Sequence, residues 1–355
     1  MNLSKLQQEI IDAPYDRIVV NSAAASGKTR LLIEKIRQLL RANVNPREIV
    51  VITFTNTAAG VLKERLGEDY KDGLFIGTIH SLANQMLSRA GIHTGAVLDK
   101  EKFDVLFPLI KRNPKCIWSI DWLLLDEAQD SNEGQFEFIF DMIKPSHFFV
   151  VGDPRQSIYR WNGSNPELFT DLMNRKDVKS FSMNENYRNR SNILAHAKMY
   201  LLEIGQRDDS IPMQYGGKVV TSTYYSIPAI IRYIKEDPRY NQWAILCRIN
   251  GPIDNIMTAL KHEGIPCDSF KQGDLTKEQL TEKMQANTVK VLTVHSAKGL
   301  EWDNVAVTGL FINNDIEEYN IAYVACTRAR NMLVVLGKTT PKKNKKVRKN
   351  EFKFE

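Results

Sequence analysis

Arg17-Ile18-Val19-Val20-Asn21-Ser22-Ala23-Ala24-Ala25-Ser26-Gly27-Lys28-Thr29 reads as a short buried strand over Arg17–Asn21 that delivers a small-residue loop into a helix over Gly27–Leu40. A phosphate-binding loop requires this context. Unpaired backbone amides at a helix N-terminus carry the positive end of the helix dipole and attract anions. Lys28 is then expected to contact the β- and γ-phosphates of a nucleotide, and Thr29 to ligate magnesium. Ala23, Ala24, Ala25, Ser26, Gly27 and Arg30 complete the expected nucleotide-binding stretch. Ala23 and Ala25 stand where such loops often carry glycine; alanine fits easily only at negative φ, so a less permissive loop is expected there. The plain alternative, a Ser/Ala turn before a helix, leaves Gly-Lys-Thr after a strand unexplained.

Outward from this loop, apolar runs alternate with helical patterns. Glu48–Phe54, Trp122–Asp126 and Phe148–Gly152 read as further buried strands, with helices at Asn56–Leu66 and Pro166–Arg175. Strands are expected again at Gln242–Cys247, Val289–Val294, Val305–Gly309 and Asn331–Leu336, and helices at Ile253–His262 and Ile321–Arg330. Such alternation implies α/β architecture with mostly parallel sheets flanked by helices. The boundary between two units is expected near Phe181–Asn186, giving 1–183, 184–337 and a tail at 338–355. Asp126 and Glu127 follow the run Trp122–Leu125. Adjacent residues at a strand end point to different sides. Asp126 is therefore expected to hold magnesium through water, and Glu127 to orient a water and take its proton.

Of the 355 residues 43% are hydrophobic, enough for two cores of ordinary domain size. No apolar run is long enough to span a bilayer and no secretory pattern begins the chain, so no membrane partner is expected. Cys116, Cys247, Cys267 and Cys326 are scattered, which argues against a zinc site or disulfide framework and for a cytoplasmic setting. The net charge of +6 matches that of the tail alone, Lys338–Glu355, with eight Lys/Arg and two Glu. The body is near neutral, which suits a narrow nucleic-acid channel better than a broad basic groove.

Further pieces follow in a fixed order: Asp126-Glu127-Ala128-Gln129-Asp130, Gly152-Asp153-Pro154-Arg155-Gln156-Ser157, Asn186-Tyr187-Arg188, His295-Ser296-Ala297-Lys298-Gly299-Leu300-Glu301 and Tyr323-Val324-Ala325-Cys326-Thr327-Arg328-Ala329-Arg330. With the phosphate loop they resemble the motifs of the UvrD/Rep/PcrA-type superfamily 1 DNA helicases, from Leu3 to about Leu336. The stretches Gly152–Arg160 and Tyr323–Arg330 look closer to the RecB/AddA branch. The resemblance implies two RecA-like P-loop domains, ATP with Mg2+, and 3′ to 5′ movement along single-stranded DNA. It implies that Gln7 reads the adenine edge, Tyr187 stacks on adenine, Gln156 senses the γ-phosphate, and Arg188 and Arg328 reach that phosphate from the second domain. Glu301 matches a residue near the ribose. Lys28, Glu127, Gln156, Arg188 and Arg328 are thus the expected catalytic set.

Thr53-Phe54-Thr55-Asn56 and Gly77-Thr78-Ile79-His80-Ser81 resemble the DNA-contact motifs of the same family. Phe54, Tyr159 and Trp161 are the expected stacking platforms, and Thr55, Asn56, Thr78, His80 and His295 the expected phosphate or sugar contacts. A phenylalanine at a strand end is equally a core residue, and either histidine equally a scaffold residue. Family members carry two large inserted domains. Here 89–117 holds at most a helix or two of the first, and Phe270–Ala286 is all that remains for the second. ATP hydrolysis and translocation are expected to survive this reduction; unwinding without a protein partner is not. The basic tail is read first as a solvated tail, then as a nucleic-acid or partner contact.

The rival reading is an ATP-gated nucleic-acid-binding subunit with little turnover, favoured by Ala23 and Ala25. A P-loop kinase or GTPase does not account for Arg188, Arg328 and the strand-contact motifs. Stacking alone does not separate DNA from RNA. The biological pathway is not encoded in these residues.

Overall fold

The structure, a computed structural model, describes residues 3–92, 102–270, 275–312 and 315–337. The basic tail and residues 93–101 of the reduced first insertion lie outside the described residues.

The first half runs α1 (Lys5–Asp12), β1 (Arg17–Ser22), α2 (Lys28–Arg41), β2 (Ile49–Ile52), α3 (Asn56–Leu66), β3 (Phe75–Gly77), α4 (Ile79–Arg89), α5 (Lys102–Arg112), β4 (Trp122–Leu125), α6 (Glu133–Phe136), β5 (His147–Gly152), α7 (Pro166–Met173) and β6 (Lys179–Met183). Its sheet has the order β3-β2-β4-β5-β1-β6, with every pairing parallel. The second half runs β7 (Glu185–Arg190), α8 (Ser191–Glu203), β8 (Ile211–Gln214), β9 (Lys218–Ser222), α9 (Ile227–Glu236), β10 (Trp243–Cys247), α10 (Ile253–His262), β11 (Cys267–Asp268), α11 (Lys277–Gln285), β12 (Val289–Thr293), β13 (Trp302–Thr308), α12 (Ile316–Cys326) and β14 (Ala329–Leu336). Its sheet is also all parallel, in the order β11-β12-β10-β13-β14-β9, and β7 pairs with β8 beside it. Of the two insertion regions, the first contributes α5 and the second α11.

Strand side chains alternate between faces, so each sheet feeds two cores. In β1, Ile18 and Val20 join Ile10, Leu31 and Leu62 on one face, while Val19 joins Leu82, Leu106 and Phe138 on the other. In β10, Ala244 and Leu246 pack toward Tyr323 and Trp302; Trp243 and Ile245 pack toward Ile230 and Ile256. Helices therefore cover both faces, as a parallel sheet buried on both sides demands.

Several expected boundaries are corrected; the strand read at Val305–Gly309 is Trp302–Thr308. The helix read at Ile321–Arg330 is Ile316–Cys326, and the strand read from Asn331 begins at Ala329. Asp315 caps α12 by accepting from the Glu317 backbone amide, which sets the start five residues earlier.

Close packing at the C-terminal end of β5 depends on Gly152. A Cβ there would lie 2.9 Å from Gln129 Oε1 and 3.0 and 3.1 Å from the Phe169 ring. Gln129 cannot retreat freely, since its Oε1 accepts from the Asp153 amide at 2.9 Å and its Nε2 donates to Glu127 at 2.6 Å. Gly152→Ala is expected to destabilise the chain by about 1–3 kcal/mol, the usual range for overpacking. Urea denaturation measures it, and an unchanged midpoint would contradict this packing.

Candidate active site and nucleic-acid face

The phosphate loop is held from below and from the side. Gly27 caps α2 at φ +92°, and a Cβ on it would lie 2.7 Å from Gln7 Nε2. Gln7 itself accepts from the Ser4 amide at 3.0 Å and donates to the Ser26 carbonyl at 3.0 Å, so its amide is bound to the back of the loop. Ala25 takes φ +59°, contrary to the expectation that alanine there needs a negative φ. Left-handed backbone costs a residue with a Cβ roughly 1–2 kcal/mol. The conformation is held by β7: Asn186 Nδ2 donates to the Ala24 carbonyl at 3.0 Å, and the Tyr187 amide to the Ala25 carbonyl at 3.1 Å. Ala23 and Ala24 are fully buried beneath the loop and do not line the cleft.

Above the loop lies a cleft of about 750 Å3. Ala25–Arg30, Glu127 and Gln156 line it from the first half; Tyr187, Arg188, Lys298, Glu301, Arg328 and Arg330 line it from the second. All five residues of the expected catalytic set therefore face one space. Seven basic side chains line it against two acidic ones, a balance that suits a polyphosphate. Asp126 does not line this cleft, but it shares an adjoining cavity of about 270 Å3 with Thr29.

On each side of the cleft, charges pair mainly within their own half. Lys28 Nζ lies 3.2 Å from Glu127. Burial works to raise the Glu127 carboxyl, but the Lys28 and Lys298 ammoniums outweigh it and hold the group down at about 2. Burial, then the Glu127 charge, push Asp126 up to about 7. Arg188 pairs with Glu301, which also pairs with Arg330. Arg328 is 2% exposed; it donates to the Val324 carbonyl at 3.0 Å, the Leu300 carbonyl at 3.3 Å and Gln156 Oε1 at 3.5 Å. Burial, then the neighbouring Arg188 guanidinium, pull Arg328 down to about 9, so incoming negative charge would relieve it.

Lys298 and Arg330 are among the cleft residues that were not foreseen. Lys298 bridges to Asp130 and donates to the Gln156 carbonyl at 2.8 Å, and Arg330 completes the Glu301 cluster. Both stand inside quoted motifs; their charge beside Glu301 and Arg328 was the available signal.

The expected stacking residues, all from the first half, cluster with His295 of the second. The Phe54 and Tyr159 rings stack at 4.9 Å and 25°, Tyr159 lies 5.7 Å from His295, and Trp161 lies 6.2 Å from His295. His295 Nε2 bonds the Ile158 carbonyl at 3.0 Å, and burial, then Arg248, lower its affinity for a second proton. Phe54, Thr78, His80 and Trp161 line a cleft of about 610 Å3. Thr55 and Thr78 cap α3 and α4 with their hydroxyls, and His80 stacks on Phe107 at 6.3 Å. Asn56 faces a separate groove of about 580 Å3. Trp161 is 67% exposed, so its indole offers an open face. Trp161→Ala is expected to weaken single-stranded DNA binding by about 1–3 kcal/mol, the worth of one base–aromatic stack. Fluorescence anisotropy with labelled oligo(dT) reads this, and an unchanged affinity would remove Trp161 from the nucleic-acid face.

Residues 3–115 and 114–177 match the family described as UvrD/REP helicase N-terminal domain, and residues 270–339 match the UvrD-like helicase C-terminal domain. The chain is 24% identical to a probable DNA helicase of Mycoplasma pneumoniae, over 95% of this chain and 83% of that protein. It is 25% identical to Gabija protein GajB of Bacillus cereus, over 93% of this chain and 95% of that protein. With ATP-dependent DNA helicase PcrA of Leuconostoc citreum it shares 24% identity over 74% of this chain, and the match spans 49% of that relative.

Proposed function

The chain belongs to the UvrD/Rep helicase family, and from that premise we propose that it is an ATP-driven translocase that moves 3′ to 5′ along single-stranded DNA. The observation that carries this reading is the convergence of Lys28, Glu127, Gln156, Arg188 and Arg328, from the two halves of the chain, on one basic cleft. We assign residues 1–183 to the N-terminal RecA-like unit and 184–337 to the C-terminal one; the end of β6 at Met183 and the start of β7 at Glu185 support that division.

In this mechanism ATP enters the cleft with its phosphates on the amides of Ala25–Thr29 and its base toward Tyr187. Lys28 leaves Glu127 for the β- and γ-phosphates, so the Glu127 carboxylate regains basicity and orients the attacking water. Arg188 and Arg328 bring positive charge to the γ-phosphate from the second half, which draws the halves together. Thr29 and Asp126 would hold the Mg2+ that neutralises charge between the β- and γ-phosphates. One hydroxyl and one carboxylate fit that ion, which keeps waters and phosphate oxygens in its shell. Among the described residues no group of three or more His, Cys, Asp or Glu could hold a metal by itself.

Cleft and nucleic-acid face share a segment. Gln156 lines the cleft, Tyr159 three residues later stacks on Phe54, and Lys298 lies 5.0 Å over the Tyr159 ring while bonded to the Gln156 carbonyl. A change at the phosphate is thereby passed to the platform that grips bases. Unwinding is assigned to a partner, since α5 and α11 are the described helices in the two insertion regions. Efficient unwinding of a tailed duplex by the purified monomer would refute that.

The strained Ala25 favours a second reading, a subunit that binds ATP and DNA and scarcely turns over. Steady-state ATPase with and without single-stranded DNA separates them. DNA-stimulated turnover lost in Lys28→Ala supports the motor; binding of both ligands without turnover supports the gated subunit.

A further inference from the structure

The segment from Asp153 to Arg160 belongs by sequence to the first half, yet it is tied to the second. Ser157 accepts from Asn320 Nδ2 at 3.2 Å, and the Arg160 amide donates to Glu317 at 2.8 Å. The most buried of these ties uses a residue outside every quoted motif. Asp208 lies between α8 and β8, and its side chain is fully buried. Its Oδ1 accepts from Arg155 Nη1 at 2.8 Å and from the Ser210 amide at 3.0 Å; its Oδ2 accepts from the Tyr323 hydroxyl at 2.9 Å. Arg155 Nε donates onward to Asp153 Oδ1 at 2.7 Å. Asp153 Oδ2 in turn accepts from Gln156 Nε2 at 2.7 Å, which leaves Gln156 Oε1 as the atom that faces Arg328.

We propose that Asp208 is a positioning residue for the nucleotide cleft: with Tyr323 it fixes Arg155, and through Asp153 it sets the Gln156 amide opposite Arg328. A buried ion pair is poor evidence for stability, because desolvating both charges offsets most of their attraction; its better-attested use is to fix one geometry. Arg155 is held between Asp208 and Asp153, and the second oxygen of Asp153 takes the Gln156 Nε2 donor, so the amide orientation of Gln156 is set from the second half. Tyr323 lies in the last turn of α12, and Arg328, two residues beyond the end of that helix, donates its Nε to the Val324 carbonyl at 3.0 Å, so the tie and the arginine are anchored to the same turn. Asp208 thus sits where it can hold sensor and arginine in register without touching the nucleotide.

The inference rests on the proposed roles of Gln156 and Arg328 in ATP hydrolysis. The test compares wild type, Asp208→Asn and Tyr323→Phe in the full chain with saturating oligo(dT). Asp208→Asn keeps the shape and removes the charge. Its kcat is expected to fall roughly 10- to 100-fold, the scale of a misplaced catalytic group, with KM for ATP unchanged. Tyr323→Phe is expected to shift in the same direction by less. A kcat per folded molecule equal to wild type in both variants would overturn the proposal. If wild type itself does not turn over, the hydrolysis reading fails, and amide hydrogen exchange decides on the positioning. Faster exchange in Asp208→Asn confined to residues 154–157 and 324–328 supports it; unchanged exchange there overturns it.

Discussion

Arg328→Ala is expected to bind ATP and lose about 10³–10⁵-fold in turnover, the worth of an arginine that meets the transferring phosphate. The side chain is buried, already short of compensating negative charge beside Arg188, and aimed across the cleft at Gln156. A guanidinium in that position gains most when charge develops on the γ-phosphate, so the loss is expected in kcat more than in KM. The truncation also leaves the Val324 and Leu300 carbonyls without their donor. Arg328→Lys controls for this, since it fills the space and keeps a charge but not the planar fork. The lysine variant is expected to keep the melting temperature and still lose most of the turnover. Full activity in Arg328→Lys would show that the position supplies only bulk charge.

Glu127→Gln is expected to lower turnover by about 10²–10⁴-fold, the range for removing a general base. Nucleotide affinity is expected to move the other way or stay level. The carboxylate now competes for Lys28 at 3.2 Å, and a neutral amide releases that ammonium to the phosphates. Gln129 Nε2, 2.6 Å from Glu127, finds an acceptor in the new amide oxygen, so the fold is expected to tolerate the change. Single-turnover hydrolysis with titration of a fluorescent ATP analogue separates the two effects. A variant that hydrolyses at the wild-type rate would move the base elsewhere.

Much of the sheet framework was legible because parallel strands buried on both faces are written as unbroken apolar runs. Ile49–Ile52, Trp122–Leu125 and Trp243–Cys247 were placed to within a few residues. Edge and peripheral strands were not legible. β3 has three residues, β6 reads Lys-Ser-Phe-Ser-Met, and β9 is half exposed, so none carries such a run. α12 was misplaced for the opposite reason: every residue from Glu317 to Cys326 is buried, and a helix buried all round shows no stripe from which to read a start. At the site, motif order brought the five expected side chains to one cleft. It could not show that Lys28 and Glu127 pair, that Arg188 is held by Glu301, or that Ala25 is left-handed. Those are facts of packing between segments far apart in sequence: Glu127 stands 99 residues from Lys28, Glu301 113 from Arg188, and Asn186 162 from Ala24.

The strand that carries the phosphate loop is nearly the last of its sheet to find partners. Arg17 on β1 pairs with Phe148 and Ile18 with Lys179, so both neighbours are made long after it. During synthesis β2, β3 and β4 can assemble while β1 and its loop wait for β5 and β6 to emerge. Closing such long segments is slow, and an unpaired apolar strand is open to wrong association in the meantime. A chain interrupted before His147 would present the loop sequence without either strand that flanks β1. Completion of the nucleotide cleft is thus expected to wait for β5 and β6 to flank β1 and then for β7 to fix the Ala25 turn, a built-in delay between making its parts and arming it.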